Sequence, residues 1–193
     1  MKPASLFVGY HGCDRTIADV VLRDGRGLKV SENAYDWLGH GIYFWENDPK
    51  RALQWAQSQQ AQGKITEPYV LGAYIQPANC LDLTEQSSLD LIAESYARLA
   101  SDSQLTGLKI PANQPGRATD RDFLKRELDC AVINRVHYER TQNNEVPFDA
   151  VRGPFWEGDD LYPGAMIKRK SHIQIAVCDE RVIVGYFRPG SPR

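Results

Sequence analysis

The sequence Gly39-His40-Gly41-Ile42-Tyr43-Phe44 holds the most informative pattern in the chain, because two glycines precede a short run of strand-forming residues. About thirty residues earlier, Tyr10-His11-Gly12 follows the apolar run Leu6-Phe7-Val8. Near the C-terminus lies a third strand-like run, His172-Ile173-Gln174-Ile175-Ala176-Val177-Cys178-Asp179. Each motif predicts a short strand, and the glycines allow a tight turn or a close approach to a ligand.

The composition is that of one globular domain. A chain of 193 residues can build one substantial core, so we expect a single domain over residues 1–193. Hydrophobic residues make up 42% and charged residues 25%, which excludes fibrous and disordered classes. The net charge of -2 gives the whole molecule no strong attraction to nucleic acid or to an anionic membrane.

Apolar stretches and cysteines point to a cytoplasmic protein without a membrane partner. No apolar stretch approaches the roughly 20 residues that span a bilayer, and residues 1–5 lead into an apolar run too short for a secretory signal. The four cysteines form no Cys-x-x-Cys pair, which argues against a zinc site. We therefore expect reduced, buried thiols and no metal.

Periodicity predicts an α+β domain in which short strands alternate with helices. Asn47-Asp48-Pro49 is a good helix start, with a capping side chain followed by proline in the first turn. The polar residues 101–120 predict a surface loop, and residues 122–136 predict a helix. The apolar side chains expected to face inward from that helix are Phe123, Leu124, Leu128, Val132 and Ile133.

Taken together and in this order, the three motifs resemble the NAD-binding core of ADP-ribosyltransferases of the diphtheria-toxin and poly(ADP-ribose) polymerase branch. The resemblance covers residues 6–60 and 148–188, while the middle of the chain is interpreted by pattern alone. It implies an α+β fold in which two small, mostly antiparallel sheets form a split NAD-binding cleft with flanking helices. It also implies that NAD is a consumed substrate.

Breaking the bond between nicotinamide and ribose develops positive charge on the ribose, so the enzyme must fix a bent NAD and place electron-rich groups nearby. The resemblance assigns His11 to the adenosine ribose and Gly12 to the nicotinamide carboxamide. Tyr43 would stack on nicotinamide, and Trp55 would close its other face. Ala52 stands where the family commonly has a serine that helps to hold the amide.

Gln174 departs from the family, which has a glutamate at this position. Glutamine can bond a ribose hydroxyl, but it supplies no negative charge and cannot act as a base. We take this departure to disfavour chain elongation into poly(ADP-ribose), whereas single transfer or hydrolysis stays possible. Residues 153–160 occupy the place of the acceptor-recognition loop, and Glu157 is the residue we favour for activating the acceptor, ahead of Asp159 and Asp160.

Each of these residues also has a purely structural interpretation. His11, taken alone, is more often a structural histidine at a strand end, and the presence of Tyr43 reverses that preference. Trp55 is about as often a packing residue as a ligand contact. His172 shares the strand face of Gln174 and could contact the substrate, but a structural hydrogen bond is the preferred interpretation. Glu157 taken singly is more often a solvated loop residue.

The resulting functional hypothesis is a mono-ADP-ribosyltransferase of the bacterial toxin or effector type, held in check by an antitoxin or inhibitor protein. Its acceptor is either protein or nucleic acid, and Phe155 and Trp156 could stack on a single-stranded base. One alternative is an NAD glycohydrolase, in which water replaces the acceptor. Another is a non-catalytic module that binds NAD or ADP-ribose. An RNA 2′-phosphotransferase is the most distant alternative.

Overall fold

The computed structural model describes residues 5–116 and 122–190. Within these ranges the chain is an α+β protein of seven strands and four α-helices. Residues 1–4, and residues 117–120 of the expected surface loop, lie outside the described residues. The elements in chain order are β1 (Phe7–Asp14), α1 (Arg15–Asp24), β2 (Ile42–Glu46), α2 (Pro49–Ala61), β3 (Pro68–Ile75), β4 (Cys80–Asp82), α3 (Gln86–Thr106), α4 (Glu127–Gln142), β5 (Ala150–Phe155), β6 (His172–Val177) and β7 (Ile183–Phe187).

The expectation of two separate sheets is wrong, because the strands of the described residues form one sheet in the order β4-β5-β6-β2-β1-β3-β7. All neighbouring strands are antiparallel except the parallel pair β4 and β5. The two halves are joined by a short ladder between β1 and β2, which pairs only Gly9 with Glu46 and Tyr10 with Trp45. These two pairs make one sheet out of the two half-sheets.

Beyond Tyr10, β1 separates from β2 while it stays paired with β3 as far as Asp14. We call this point of separation the fork. Helix α2 packs on β1 and β3 beside it. The fork therefore lies between the first and second motifs of the sequence, and the backbone on either side of it belongs to different half-sheets.

The two helices beside the fork begin at capping aspartates, and α2 begins where the sequence predicts. The side chain of Asp14 accepts from the Thr16 amide at 3.1 Å and caps α1, which ends at Gly25 with a φ of 69°. Asp48 accepts from the Arg51 amide at 2.9 Å and caps α2, with Pro49 in the first turn. The start of each helix is set by a hydrogen bond between near neighbours in the chain, which is why a helix start can be predicted from local sequence.

Two apolar clusters fill the two faces of the sheet. One contains Phe44 and Ile175 together with Val21 of α1. The other contains Leu38, Val151 and Ala176 together with Ile133 of α4. Because side chains alternate along a strand, Tyr43 and Gln174 project from the face opposite Phe44 and Ile175.

The middle of the chain differs from the prediction. Helix α3 continues to Thr106 and ends at Gly107 with a φ of 74°, so residues 101–106 are helical and not loop. Helix α4 begins at Glu127 and not at residue 122, because the backbone of Lys125 makes two hydrogen bonds to Gln114, at 2.8 and 3.0 Å.

The first turn of α4 is capped from another segment. The side-chain oxygen of Asn113 accepts from the Leu128 amide at 3.0 Å. Phe123 and Leu124 therefore precede the helix, and they are 54% and 38% exposed, so the expectation that they face inward is wrong. Val132 and Ile133 are buried as predicted.

None of the helices in the described ranges combines the length and the apolar character that crossing a membrane requires. The four cysteines are free thiols. Burial raises the pKa of Cys13 to about 11 and that of Cys178 to about 12, so neither thiol is a ready thiolate nucleophile at neutral pH.

Candidate functional site

His11 lies at the fork and joins its two sides. Its Nδ1 is 2.7 Å from the main-chain oxygen of Tyr43. A carbonyl oxygen only accepts, so Nδ1 carries the proton and Nε2 keeps its lone pair. Burial lowers the pKa of His11, which keeps the ring neutral, and the ring packs on Phe44 with centroids 5.6 Å apart. His11 can thus offer one acceptor nitrogen in a fixed tautomer.

Tyr43 is bound to the turn that precedes its own strand. Its hydroxyl donates to the Gly39 carbonyl at 2.8 Å and accepts from the Leu38 amide at 2.9 Å. Burial raises the pKa of Tyr43, so the hydroxyl stays protonated. The hydroxyl is thereby committed to the protein, and what Tyr43 can offer a ligand is the face of its ring.

Packing within the protein explains the glycines of the first and second motifs. An ideal Cβ on Gly12 would lie 2.3 Å from the Ala52 carbonyl oxygen, so only glycine lets α2 pack this closely on β1. Gly39 has a φ of +76°, and a Cβ there would lie 2.7 Å from the side chain of Ile133. Close packing of the protein therefore accounts for these glycines before any ligand does.

Trp55 extends from α2 over Gly12, and the residue is 39% exposed. Its ring lies 6.0 Å from the ring of Trp45, which is buried in β2. Trp55 and Trp45 thus form an aromatic surface that extends from α2 to β2. The exposed part of Trp55 is available to a planar ligand.

Gln174 is fixed by a residue that the sequence analysis did not single out. Its Oε1 accepts from Trp37 Nε1 at 2.6 Å. Because an indole nitrogen can only donate, this contact identifies the oxygen of the amide and leaves Nε2 for other partners. Directly opposite Gln174 on β2 lies Trp45, so both side chains project from the same face of the sheet.

Glu157 is paired with two cations. Its carboxylate is 2.7 Å from the Arg51 guanidinium and 3.2 Å from the Lys170 ammonium. The side chains of Arg51 and Glu157 are only 12% and 18% exposed, so this pair is shielded from solvent. It ties α2 to the segment that follows β5. The charge of Glu157 makes it a candidate from the sequence alone, whereas nothing in the sequence around Arg51 predicts this ion pair.

His172 has a fixed tautomer like that of His11. Its Nδ1 donates to the Lys170 carbonyl at 2.6 Å, and its ring stacks on Phe155 with centroids 5.5 Å apart. Burial lowers the pKa of His172, so the ring is neutral near pH 7. Among the described residues, His172 Nε2, Trp45 Nε1 and Arg51 Nε are buried without a hydrogen-bond partner.

One cavity of about 1430 Å³ collects these residues. Its lining includes every residue that the sequence analysis assigned to the site, which are His11, Gly12, Tyr43, Trp55, Glu157 and Gln174. The lining also contains Trp37, Trp45, Arg51, Phe155 and His172, whose roles the sequence analysis left open or did not consider. Trp156, by contrast, is 55% exposed and is not part of the lining.

The charges around the cavity are unbalanced. Six basic side chains line it, namely Lys29, Lys50, Arg51, Lys64, Arg169 and Lys170, against the four acidic side chains of Glu32, Asp36, Asp48 and Glu157. The cavity is therefore locally positive in a chain whose net charge is -2. Within the described ranges, no group of three or more His, Cys, Asp or Glu side chains is placed to hold a metal ion.

Comparisons of this chain with protein-family models, with curated proteins and with solved structures found no match. The resemblance to ADP-ribosyltransferases therefore depends on the three sequence motifs.

Proposed function

We propose that the chain is a mono-ADP-ribosyltransferase that cleaves NAD, releases nicotinamide and transfers ADP-ribose to a macromolecular acceptor. The observation that carries this proposal is the convergence of His11, Tyr43, Trp55 and Gln174 on one cavity at the fork. These residues come from motifs far apart in the chain. Their order and residue types match the family pattern except at Gln174.

The size and charge of the cavity favour a dinucleotide. Its 1430 Å³ exceeds the roughly 300–1,000 Å³ of sites for drug-sized ligands. The excess of basic over acidic side chains in its lining would attract the anionic pyrophosphate of NAD. A neutral or anionic cavity of the same size would lack this support.

The fixed groups at the fork suit the two ends of the proposed ligand. His11 Nε2 has a lone pair that can accept from a ribose hydroxyl, because Nδ1 is occupied by the Tyr43 carbonyl. Tyr43 and Trp55 both line the cavity, and in the proposal nicotinamide stacks on their rings. Groups held in place before the ligand arrives lower the entropic cost of orienting it.

In the proposed reaction, the bond between C1′ of the ribose and the nicotinamide nitrogen breaks. Its electron pair stays with nicotinamide, which leaves as a neutral molecule. An oxygen or nitrogen of the acceptor bonds to C1′, and its proton passes to the Glu157 carboxylate, which is the group proposed to activate the acceptor. Gln174 can position the ribose through a hydrogen bond, but it lacks the negative charge by which a carboxylate would stabilise the cationic ribose.

The test uses NAD labelled on the adenylate, incubated with the protein and with untreated, nuclease-treated or protease-treated lysate. The proposal predicts nicotinamide release, with label retained on macromolecular material. Loss of that label after nuclease or after protease treatment identifies the acceptor as nucleic acid or as protein. Nicotinamide release with all label recovered as free ADP-ribose would instead mean an NAD glycohydrolase.

A non-catalytic module that binds NAD or ADP-ribose is the second candidate, and one observation favours it. Gln174 has no charge, and the Glu157 carboxylate is engaged by Arg51 and Lys170. Neither residue offers a free negative charge to a developing cation. Saturable NAD binding without nicotinamide release in any lysate would support this candidate and refute the transferase.

A further inference from the structure

We infer that Trp37 is a positioning residue, which orients the Gln174 side chain so that its amide NH₂ faces the ligand; this inference rests on the proposed function. The two residues are 137 positions apart in the chain. They meet through the hydrogen bond from Trp37 Nε1 to Gln174 Oε1, which at 2.6 Å is short for an N–H donor. Both residues line the cavity at the fork.

The direction of this hydrogen bond decides which end of the Gln174 amide is available to a ligand. A glutamine amide has an accepting end and a donating end, and an unrestrained side chain can present either one. The indole N–H of Trp37 can only donate, so it binds the oxygen. The Nε2 end is then left to donate to an oxygen of the ligand. The position acts as a hydrogen-bond donor, where the family's glutamate would act as an acceptor.

Trp37 is itself held firmly by its surroundings. Gly153 lies directly opposite Gln174 on β5, and an ideal Cβ there would be 2.9 Å from the Trp37 ring. The Phe155 ring lies 5.0 Å from that of Trp37, and the Arg126 guanidinium lies 5.8 Å from its centroid. The absence of a side chain at Gly153 thus provides the room that the indole occupies.

A spectroscopic experiment tests the hydrogen bond without reference to activity. The chain has four tryptophans, so ¹⁵N-labelled protein gives at most four indole N–H signals. Trp37→Phe identifies the signal of Trp37 by its loss, and Trp156→Phe, which replaces an exposed ring outside the cavity, is the matched control. In Gln174→Ala the Trp37 signal should move upfield, because its acceptor is gone. An unmoved signal would overturn the inference.

A double-mutant cycle tests the positioning role. Trp37→Phe keeps an aromatic ring but removes the N–H, so kcat for nicotinamide release should fall about tenfold, the effect of one hydrogen bond, with little change in KM. In the Gln174→Ala background the same substitution should have no further effect. An equal loss of kcat in both backgrounds would mean that Trp37 only packs, and it would refute the inference.

The two possible failures are separable. A wild-type protein that releases no nicotinamide refutes the proposed function, and the inference fails with it. A wild-type protein that releases nicotinamide but shows no coupling between residues 37 and 174 refutes the inference alone. If Trp37→Phe does not fold, Trp45→Phe, Trp55→Phe and Trp156→Phe assign the other three indole signals, and the shift of the remaining signal in Gln174→Ala decides whether the bond exists.

Discussion

The imidazole of His11 donates to the main-chain oxygen of Tyr43 across 2.7 Å, at the point where β1 and β2 separate. In a continuous antiparallel ladder, backbone amides would satisfy carbonyls at this position. Here a side chain satisfies the carbonyl and links the first and second motifs directly. The separation of the strands therefore opens the cavity without leaving the Tyr43 carbonyl unpaired.

The structure separates two roles of Tyr43, because its hydroxyl is bound to the turn while its ring lines the cavity. Tyr43→Phe should cost about 1–3 kcal/mol of unfolding free energy, since the Leu38 amide and the Gly39 carbonyl lose their partner. The same variant should keep NAD affinity, because the ring remains. Tyr43→Ala should lose both stability and NAD affinity, because the hydroxyl and the ring are both removed. Urea unfolding and NAD titration measure these effects, and full stability in Tyr43→Phe would contradict the assignment.

Gly12 should not tolerate a side chain. In Gly12→Ala the new methyl would lie 2.3 Å from the Ala52 carbonyl oxygen, so α2 must move away from β1. We expect a loss of about 1–3 kcal/mol of unfolding free energy and weaker NAD binding, because Trp55 moves with α2. Gly185→Ala is the control, since no heavy atom lies within 4 Å of its Cβ position. Equal unfolding midpoints for the two variants would show that α2 is not held against β1.

Acidification should destabilise the protein below pH 6.5. Burial lowers the pKa values of His11, His137 and His172, so these rings are neutral in the folded state, whereas the histidines of the unfolded chain bind protons at about pH 6.5. Between the folded and unfolded pKa values, the unfolded state carries more protons. The histidine contribution to stability is therefore complete above about pH 6.5, and it is lost as the pH falls toward the folded values.

His137 tests this pH dependence away from the cavity. It lies against Phe148, with ring centroids 6.1 Å apart, and the nearby Arg140 adds to the lowering of its pKa. His137→Gln should reduce the slope of unfolding free energy between about pH 6.5 and 5 by up to about 1.4 kcal/mol per pH unit. Gln142→Ala, an exposed change on the same helix, is the control. A slope that His137→Gln leaves unchanged would refute this explanation.

Glu157 should matter for transfer more than for NAD cleavage, if it activates the acceptor. Glu157→Gln removes the charge that pairs with Arg51 and Lys170 while keeping the shape of the side chain. We expect acceptor labelling to fall on the order of 100-fold, with nicotinamide release changed by only a few-fold. Asp160→Asn in the same loop, outside the cavity lining, is the control. If acceptor labelling and nicotinamide release fall by the same factor, Glu157 serves only as part of a structural ion pair.

Features that depend on neighbouring residues were predictable from the sequence, and those that depend on distant partners were not. Asp14 and Asp48 cap helices through bonds to residues two and three positions away, so local sequence locates both helix starts. The start of α4 depends instead on Lys125 and Asn113, which bind partners 11 and 15 residues away. Periodicity alone placed that start five residues too early.

The residues of the candidate site also divide into those that local sequence predicts and those that depend on distant partners. His11, Tyr43 and Gln174 could be proposed because each belongs to a recognisable motif, and the structure places all three on one cavity. Trp37 and Arg51 could not, because their importance comes from contacts across 137 and 106 residues. The joining of the two half-sheets was also missed, since two residue pairs between β1 and β2 leave no pattern in the sequence.

The NAD site at the fork is tested most directly by comparing the purified wild-type protein with His11→Ala, after circular dichroism has shown that both are folded. NAD affinity and nicotinamide release are measured for each, with untreated lysate present as a source of acceptor. We expect the wild type to bind NAD and to release nicotinamide, and we expect His11→Ala to bind NAD more weakly. A wild-type protein that neither binds nor cleaves NAD, or a His11→Ala variant with undiminished affinity, would contradict the central claim that the cavity at the fork is an NAD site.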